Sequence, residues 1–307
     1  MGRVMLARLR TYASFVRFSH SVFALPFALA GAVLAFRSAD PPMTASAVGW
    51  RVWWIVLAMV SARSAAMGFN RLADARLDAL NPRTASRELP RQAMSRGEAA
   101  LFVIAASSVF VFATWRLPPV CFWLSPVALA IVFWYSLAKR VTTWTQLFLG
   151  LAMAVAPVGG WLAAGGAAGR EEPWLLGLAI ASWVGGFDVL YACQDLEFDR
   201  AHGLRSIPVR FGVGPSLAIS RGMHVIAVGS LASLAFVAAP GSLGPLYLIG
   251  VAVVAALLVY EQSLVSASDL SQVKRAFDLN GYVGILYLLV LIVSLYGPWN
   301  SWTPWTR

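Results

Sequence analysis

Residues 173–208 read PWLLGLAIASWVGGFDVLYACQDLEFDRAHGLRSIP, an apolar stretch that runs directly into a polar segment. Within the polar segment, Tyr191, Asp195 and Asp199 recur at every fourth position. Residues spaced by four lie on one face of an α-helix, so the pattern predicts a short row of oxygen atoms, here called the second ladder. The sequence therefore predicts a membrane-length helix that ends in a set of potential ligands.

Residues 68–90, GFNRLADARLDALNPRTASRELP, have the same layout. Asn70, Asp74 and Asp78 form the first ladder. Gly-Phe precedes each ladder, at 68–69 and 186–187, and each segment closes with a proline that follows a basic tract. This repetition predicts two related helical halves, each of which offers one ladder to a shared central cavity.

The two ladders predict a metal ion and a phosphate. Asp and Glu number only 14 of 307 residues, so their concentration in two matching patterns needs an explanation. Grouped carboxylates repel one another unless a cation binds, and such oxygen ligands suit Mg²⁺, which usually brings a phosphate. We therefore predict chemistry on a diphosphate. The simpler alternative for the first ladder is a solvated helix end whose acids pair with Arg71 and Arg76.

The composition is that of a helical membrane protein. The apolar fraction is 59%, the mean hydropathy is +0.70, and charged residues make up 12%, about half of the roughly 25% of a soluble domain. Nine apolar stretches are candidates for membrane-spanning helices, at about 21–36, 48–69, 98–115, 118–137, 143–165, 173–193, 221–239, 243–264 and 281–297. We predict an all-α polytopic fold of nine transmembrane helices around a central cavity. It forms a single domain, 1–307, with halves at about 15–140 and 141–297.

The basic residues are distributed by membrane side. Eighteen of the 24 Lys and Arg residues lie in the N-terminal segment and alternate loops, five lie on the other side, and Arg63 lies within the second apolar stretch. The positive-inside rule then places the N-terminus and both ladders in the cytoplasm, at an inner membrane, with the C-terminus outside. Membrane topology therefore accounts for most of the net charge of +10, and we predict no nucleic-acid partner. A cleaved signal peptide over residues 1–32 is the alternative for the first stretch.

Three basic residues are candidates for binding an anion. Lys139 and Arg140 follow the fourth apolar stretch, where they can anchor the helix at the interface, grip a diphosphate, or do both. Arg63 lies seven residues before Asn70, two turns deeper on roughly the same face. An Arg inside a membrane costs several kcal/mol and normally faces a cavity. Its expected partner is a substrate carboxylate or phosphate, with Asp188 as the structural alternative.

Further candidates lie at the same membrane face. Arg17 and His20 either lie at the interface or cap the cavity, and a structural role is favoured for His20. Two loops either solubilise this face or close over the diphosphate and exclude water from a carbocation. Their residues are Arg83, Thr84 and Arg87 in the first loop, and Arg205, Ser206 and Arg210 in the second.

These motifs resemble those of the UbiA superfamily of intramembrane prenyltransferases. The resemblance covers about residues 17–297 and includes RFSHSVFALPFAL near the N-terminus, N-x3-D-x3-D at the first ladder, Y-x3-K-R at 135–140 and D-x2-Y-x3-D-x3-D at 188–199. It implies a polyprenyl diphosphate donor, an aromatic acceptor, Mg²⁺ and a membrane location for the lipid chain. Arg71 departs from the usual Asn-Asp opening of the first ladder, which leaves one fewer potential carboxylate.

The resemblance also implies roles for individual side chains. The implied metal ligands are Asp74, Asp78, Asp195 and Asp199. The implied substrate-binding residues are Arg17, Arg63, Asn70, Tyr135, Lys139, Arg140, Arg205 and Ser206. Asp188 or Tyr191 would orient or activate the acceptor hydroxyl, and Asp195 would join them as a catalytic residue.

Within the superfamily, the chain is most similar to 4-hydroxybenzoate polyprenyltransferases of the ubiquinone route. Prenylation of 1,4-dihydroxy-6-naphthoate for menaquinone is the alternative, and both acceptors carry a carboxylate that Arg63 would bind. An ion-coupled membrane transporter is the alternative from another class, although proton relays favour isolated acids deep in the bilayer. A phospholipid-forming phosphotransferase would show a D-G-x2-A-R pattern, which this sequence lacks.

Overall fold

The computed structural model describes residues 8, 11–12, 14–16, 18–238 and 243–297. Within this part of the chain every regular element is a helix. The nine long helices are α1 (Phe18–Arg37), α2 (Ala45–Leu80), α3 (Arg96–Trp115), α4 (Pro119–Ala138), α5 (Thr145–Ala163), α6 (Glu172–Ala192), α7 (Val213–Val237), α8 (Pro245–Ser263) and α9 (Val273–Tyr296). Short helical segments at Cys193–Asp195, Leu196–Ala201 and Ile207–Phe211 connect α6 to α7.

The predicted all-α membrane fold is confirmed. Among the described residues, eight helices are long and apolar enough to cross a membrane by length and composition, and they correspond to α2 through α9. The apolar part of α1, Ala24–Arg37, is shorter. The prediction of nine spans therefore differs by one from this count, although α1 occupies the place predicted for the first span.

Helix α2 carries the first ladder beyond the membrane. It has 36 residues, which corresponds to about 54 Å at 1.5 Å per residue and exceeds a hydrocarbon core of about 30 Å. Its apolar part covers the predicted span 48–69, so the last turns continue as helix into the polar layer. Hydrogen bonds within the helix can continue through polar sequence, whereas the membrane span ends where apolar residues end.

Local sequence signals explain several helix starts. Ser95 and Glu98 form a capping box at the start of α3, in which each side chain accepts a hydrogen bond from the other residue's backbone N–H. Thr44 caps α2 in a similar way. Proline lies in the first turn of α4, α6 and α8, where its missing N–H has no cost.

Close packing around α5 organises the bundle. A Cβ on Gly160 would collide with the carbonyl group of Ala28 in α1, and a Cβ on Gly150 would collide with the carbonyl group of Ala181 in α6. Membrane helices use small residues in this way because close backbone approach gives van der Waals contact that the hydrophobic effect does not supply in lipid. Helices α1 and α6 are thereby fixed on two sides of α5, which defines one wall of the cavity described below.

Candidate active site

The first ladder lies on one continuous helix, as predicted. Asn70, Asp74 and Asp78 belong to the last three turns of α2, and the two aspartates are buried. Asn70 Nδ2 lies 3.5 Å from Asp74 Oδ2. Since the helix is uninterrupted, the three side chains share one face and point toward the loops that follow α2 and α4.

The second ladder has a different backbone from the one predicted. Tyr191 lies in α6, Asp195 ends a 3₁₀ turn at Cys193–Asp195, and Asp199 lies in the short helix that follows. The expectation that the three residues share a face of one α-helix is wrong, because a 3₁₀ turn has 3.0 residues per turn and changes the angular register. The second ladder is therefore a bent arrangement.

The two ladders are electrostatically coupled. Asp199 interacts with Asp195, Lys139 and Asp74, and Asp188 interacts with Asp195, Lys139 and Asp199. Asp74 of α2, Lys139 at the end of α4, Asp188 of α6 and Asp199 of the short helix after it therefore lie within electrostatic range of one another at one end of the bundle. The predicted convergence of both ladders is consistent with these contacts, while the exact role of each side chain stays a prediction.

Two basic residues that end α4 hold the first ladder. Lys139 Nζ lies 2.5 Å from Asp74 Oδ2, and Arg140 Nη2 donates to Asp74 Oδ1 at 2.8 Å and to the Ala73 carbonyl oxygen at 2.8 Å. Asp74 is almost inaccessible, whereas Lys139 and Arg140 keep about a third of their side-chain surface exposed. A buried carboxylate is thereby neutralised by two cations that can still reach solvent or a ligand.

The loop of residues 81–95, here called the basic loop, touches both ladders. Arg87 Nη1 donates to both oxygens of Asp78, at 2.8 and 2.9 Å. Arg83 forms a fork with Asp195, with Nη2–Oδ2 at 2.6 Å and Nε–Oδ1 at 3.2 Å, and its Nη1 donates to the Tyr191 hydroxyl at 3.1 Å. The basic loop therefore ties the first half of the chain to the second ladder.

The electrostatics of Arg83 follow from this position. Burial alone would lower the pKa of its guanidinium group, but the charge of Asp195 and the hydrogen bond to it raise the pKa above its ordinary value. Arg83 is therefore fully charged at any physiological pH. It acts as a fixed cation between the two ladders.

Of the remaining predicted substrate-binding residues, Arg205 and Ser206 contact residues other than the ladders among those described. Arg17 lies outside the described residues. The Arg205 guanidinium donates to the Val141 carbonyl oxygen, and the Ser206 hydroxyl caps the short helix that begins at Ile207 by accepting from the backbone N–H of Val209. Arg205 thereby holds the loop after α6 against the end of α4, and Ser206 stabilises its own short helix, so the binding role of both stays a prediction.

Arg71 lies away from the ligand face of the first ladder. It is buried, and its Nη1 lies 3.8 Å from Glu88 Oε2 in the basic loop. Glu88 Oε1 accepts from the Ser14 hydroxyl at 2.5 Å. The residue that departs from the usual Asn-Asp motif thus joins α2, the basic loop and the N-terminal segment.

We call the ladder aspartates and their basic partners Lys139, Arg140, Arg83 and Arg87 the acid–base cluster. An apolar cavity of about 480 Å³ lies on the membrane side of this cluster. It is enclosed mainly by α2, α4 and α5, with α3 and α6 completing its walls. Along α2 its lining runs from Ile55 to Ala66, about 16 Å at 1.5 Å per residue. Arg63 and Tyr135 line the end nearest the ladders, and the far end is apolar apart from a few small polar side chains.

Arg63 is the notable polar group of this cavity. Its Nε is buried and has no hydrogen-bond partner among the described residues. Its interaction with Tyr135 is electrostatic, and the predicted structural alternative, an ion pair with Asp188, does not occur among the described ion pairs. A cation at the polar end of an apolar cavity provides a place for an anionic group of a bound molecule.

The donor chemistry of the ladders fits a hard divalent cation. Four carboxylates and the amide of Asn70 supply oxygen atoms, which Mg²⁺ prefers. Within the described ranges, no three Asp, Glu, His or Cys side chains converge as a preformed metal cluster. Three of the four ladder aspartates instead contact Lys or Arg, and these basic partners occupy the same carboxylate oxygens that a metal would use.

Two supporting residues were missed at the sequence level. Asn81 Nδ2 lies 3.5 Å from Asp195 Oδ1, while Asn81 Oδ1 accepts from the backbone N–H of Arg83 at 3.0 Å. Gln146 in α5 is buried, and its Oε1 accepts from the backbone N–H of Ile207 at 3.2 Å. The Asn-Pro pair that follows the first ladder was an available signal for Asn81, whereas an isolated Gln within an apolar stretch gives none.

The chain is similar in sequence to known proteins over most of its length. The model of the UbiA prenyltransferase family matches residues 24–289. The 4-hydroxybenzoate octaprenyltransferase of Vibrio campbellii is 32% identical over 245 residues, which covers 78% of this chain and 83% of that protein. The protein of the same name from Edwardsiella ictaluri is 33% identical over 233 residues, with 74% and 77% covered.

Solved structures show the same architecture. The apo structure of a UbiA homologue from Aeropyrum pernix K1 superposes with a TM-score of 0.78 at 35% identity, covering 90% of this chain and 98% of that one. A UbiA homologue from Archaeoglobus fulgidus bound to DMAPP and Mg²⁺ has a TM-score of 0.67 at 20% identity, covering 92% and 99%, and this likeness concerns the fold. This integral, multi-pass membrane protein therefore belongs to the UbiA prenyltransferase family.

Proposed function

We propose that this protein transfers a polyprenyl group from polyprenyl diphosphate to 4-hydroxybenzoate in ubiquinone biosynthesis. The observation that carries the proposal is the junction between the apolar cavity and the acid–base cluster. Arg63 and Tyr135 line the cavity; Asn70 follows Arg63 two turns later on α2, and Lys139 caps the end of α4 four residues after Tyr135. A prenyl diphosphate has an apolar chain joined to a polyanion, so it needs these two environments side by side.

The names of the relatives support the acceptor. The proteins from Vibrio campbellii and Edwardsiella ictaluri are both called 4-hydroxybenzoate octaprenyltransferases. Each is more than 30% identical to this chain over about three quarters of its length. The reaction belongs in a membrane because the polyprenyl chain can remain in lipid while its diphosphate reaches the site.

In this proposal Lys139 and Arg140 bind the diphosphate. They are the exposed partners of buried Asp74, with 28% and 32% of their side-chain surface accessible. Arg supplies a planar fork and Lys a compact charge, and both stabilise the negative charge that grows on the leaving group. Asn70 and Tyr135 border the same region and position the allylic end of the donor.

Mg²⁺ is the proposed cofactor, held by Asp74, Asp78, Asp195 and Asp199. The oxygen donors of both ladders suit it, and the homologue from Archaeoglobus fulgidus has been solved with Mg²⁺ and DMAPP bound together. When bound, the ion supplies Lewis-acid stabilisation of the diphosphate and a template for its orientation. Without the ion, Lys139, Arg87 and Arg83 contact oxygens of Asp74, Asp78 and Asp195, and these contacts keep the carboxylates in the region that the ion would occupy.

The acceptor side of the site is formed by Arg63, Asp188 and Tyr191. The guanidinium of Arg63 binds the acceptor carboxylate, since its Nε is buried and finds no hydrogen-bond partner in the part of the chain that the structure describes. Asp188 or Tyr191 orients the acceptor hydroxyl and increases the electron density of the ring. The ring carbon beside the hydroxyl then forms a bond with the allylic carbon of the donor, the bond to the diphosphate oxygen breaks, and the ring loses a proton.

The basic loop supplies the cover of the site. Arg83 and Arg87 bind Asp195 and Asp78, so this loop closes the space between the ladders. An allylic cation would be quenched by water, and exclusion of solvent therefore protects the reaction. We place this face on the cytoplasmic side of an inner membrane, because the basic residues concentrate there.

Product analysis tests the proposal. The protein is reconstituted in lipid nanodiscs with Mg²⁺, a polyprenyl diphosphate and either 4-hydroxybenzoate or 1,4-dihydroxy-6-naphthoate, and products are identified by mass spectrometry. Prenylated 4-hydroxybenzoate is the expected result. Product from the naphthoate alone would move the chain to menaquinone synthesis, and the absence of both products from folded protein would overturn the proposal.

A substitution tests the acceptor contact. We expect Arg63→Met to raise the KM for 4-hydroxybenzoate about 100-fold, because a lost charged hydrogen-bond partner costs roughly 2–3 kcal/mol. The KM for the polyprenyl diphosphate should change little. Arg221→Met, on the exposed side of α7, is the matched control and should behave as wild type. An unchanged acceptor KM in Arg63→Met would assign the carboxylate contact to another residue.

A further inference from the structure

A second polar network lies behind α6, separate from the cavity and from the ladders. Gln262 Nε2 in α8 donates to Ser220 Oγ in α7 at 2.7 Å and also meets His224 Nδ1 at 3.1 Å. Ser220 Oγ in turn donates to the Gly186 carbonyl oxygen in α6 at 2.7 Å. This arm of the network reaches α6 from α8 through α7.

The other arm reaches α6 through α9. Asn280 Nδ2 donates to Glu261 Oε2 in α8 at 2.9 Å, and the indole N–H of Trp183 in α6 donates to Asn280 Oδ1. Both arms begin at neighbouring residues of α8 and end on neighbouring turns of α6. We call the set of residues 183, 186, 220, 224, 261, 262 and 280 the α6 network.

The α6 network is buried in the part of the bundle that is otherwise apolar. Trp183, Asn280 and Ser220 are inaccessible, Glu261 is 1% exposed and Gln262 is 8% exposed. Among the described residues Glu261 has no basic partner. Apolar side chains of similar size would fill this space without the desolvation penalty of polar groups, so stability alone does not account for the network.

Its location suggests what the network does. Asp188 lies two residues after Gly186 and five after Trp183 on α6. At about 100° per residue, Asp188 is roughly 160° and 140° around the helix from these two attachment points. The network therefore holds the back of the helix whose front presents Asp188 toward Lys139.

Close packing reinforces this contact. A Cβ on Gly186 would lie 2.8 Å from His224 Cδ2 and 3.1 Å from Met223 Cβ, so α7 rests directly against the backbone of α6. Side-chain ends lie about 5–6 Å from a helix axis, so a rotation of about 10° moves the Asp188 carboxylate by about 1 Å. A displacement of this size can cost about 100-fold in rate.

We propose that Glu261 and Gln262 are positioning residues for the prenyl transfer reaction. Through Asn280 and Ser220 they fix the rotation of α6, and so the aim of Asp188 at the acceptor. The inference rests on the proposed function for the identity of the reaction. The rotation of α6 itself can be measured without any catalytic assay.

Four variants test the role in catalysis. Glu261→Leu and Gln262→Leu break the two arms, whereas Glu261→Gln keeps a hydrogen-bonding side chain that can accept from Asn280. Tyr247→Phe is the matched control, because Tyr247 is equally buried and bonds to the Leu231 carbonyl oxygen in α7 and to Tyr287 in α9, with no bond to α6. All variants are compared with wild type in nanodiscs for kcat, both KM values and Tm.

The expected pattern separates positioning from stability. Glu261→Leu and Gln262→Leu should lower kcat about 10- to 100-fold with the KM for the diphosphate within about two-fold, and Glu261→Gln should restore kcat. Tyr247→Phe should lower Tm but leave kcat unchanged. In an Asp188→Asn background, Glu261→Leu should lower the remaining turnover by less than about two-fold, because both changes act at one carboxylate. Equal kcat losses in Glu261→Leu and Tyr247→Phe would overturn the proposal.

A thiol-labelling experiment detects a rotation of α6 through the accessibility of Cys193. Cys193 follows α6, is 3% exposed, and bonds to the Val189 carbonyl oxygen. In a Cys121→Ser background, Glu261→Leu should raise the rate at which a permeant maleimide labels Cys193 about ten-fold, since thiol reactivity follows access. Tyr247→Phe should not. Unchanged labelling in Glu261→Leu would overturn the positioning role, whatever the catalytic assay shows.

Discussion

The two ladders have matching sequences but different surroundings. The first lies on the uninterrupted helix α2, and the side chains of Asp74 and Asp78 are only 5% and 9% exposed. The second bends through a 3₁₀ turn, and the side chain of Asp195 is 19% exposed. Equal spacing in the sequence therefore gives a rigid, buried row of ligands in one half and a more open, bent row in the other.

The two ladders also differ in which half of the chain supplies their basic partners. Asp74 is held by Lys139 and Arg140, which directly follow α4 and are part of the same half of the chain. Asp195 is held by Arg83, which comes from the loop after the first ladder. The second ladder thus depends on the first half for its position. We expect substitutions in the first ladder to have the larger effects.

Loss of a ladder carboxylate should have the largest effect. We expect Asp74→Asn to lower kcat/KM for prenyl transfer about 1,000-fold and Asp195→Asn about 100-fold, because each removes a preorganised charge and Asp74 also anchors two cations. The rates are measured in nanodiscs over a range of Mg²⁺ concentrations. Asp269→Asn, in the exposed loop before α9, is the control and should match wild type. If Asp195→Asn were the more damaging change, the ranking of the two ladders would be reversed.

Removal of Lys139, the lysine that contacts the first ladder, should have the second largest effect. Lys139→Ala should raise the KM for the polyprenyl diphosphate about 10- to 100-fold, because a charged hydrogen bond to phosphate contributes roughly 1.5–3 kcal/mol. The KM for the acceptor should stay the same. Lys274→Ala, at the exposed start of α9, removes the other lysine of the chain as a control. Unchanged donor kinetics in Lys139→Ala would exclude this lysine from diphosphate binding.

Loss of the contact between the basic loop and the second ladder should have a smaller effect on activity. Arg83→Ala removes the fork on Asp195 and the contact with the Tyr191 hydroxyl. We expect kcat to fall about ten-fold, since one charged contact in a partly exposed site is lost while the ladder itself remains. Steady-state kinetics of Arg83→Ala and of its loop neighbour Arg91→Ala, which is exposed, provide the comparison. Equal activities of the two variants would show that the loop does not support the second ladder.

The smallest effect should come from Ser206. Its hydroxyl caps a helix of five residues, so Ser206→Ala should reduce stability by about 1 kcal/mol and lower Tm slightly. The kinetic constants should stay within about two-fold of wild type. Thermal unfolding in detergent and steady-state kinetics measure both quantities. A large increase in the KM for the diphosphate would instead support the binding role predicted from the sequence motif.

The fold was largely predictable because each long helix is an apolar stretch. The predicted span 118–137 corresponds to Pro119–Ala138, and 98–115 corresponds to Arg96–Trp115. Helix starts were less predictable where polar sequence remains helical. Helix α7 begins at Val213, before the predicted span 221–239, because backbone hydrogen bonds continue through residues that hydropathy excludes from the membrane.

The sequence singles out candidate site residues but not their pairings. Regular spacing makes Asp74 and Asp195 candidates, and their role as ligands stays a prediction. The pairing of Arg83 with Asp195 joins residues 112 positions apart, so it depends on tertiary packing. The α6 network was not predicted for the same reason: Glu261 and Asn280 lie near the polar ends of apolar stretches, and their spacing follows no local pattern.

Metal binding by both ladders tests the central claim most directly. Mn²⁺ replaces Mg²⁺ and is titrated into nanodiscs that contain a non-hydrolysable prenyl diphosphate analogue, and bound ion is measured by electron paramagnetic resonance. If the two ladders form one site, Asp74→Asn and Asp195→Asn should each weaken binding at least about ten-fold, while Asp269→Asn binds as wild type. Wild-type Mn²⁺ affinity in either ladder variant would contradict the claim that both halves of the chain hold the metal.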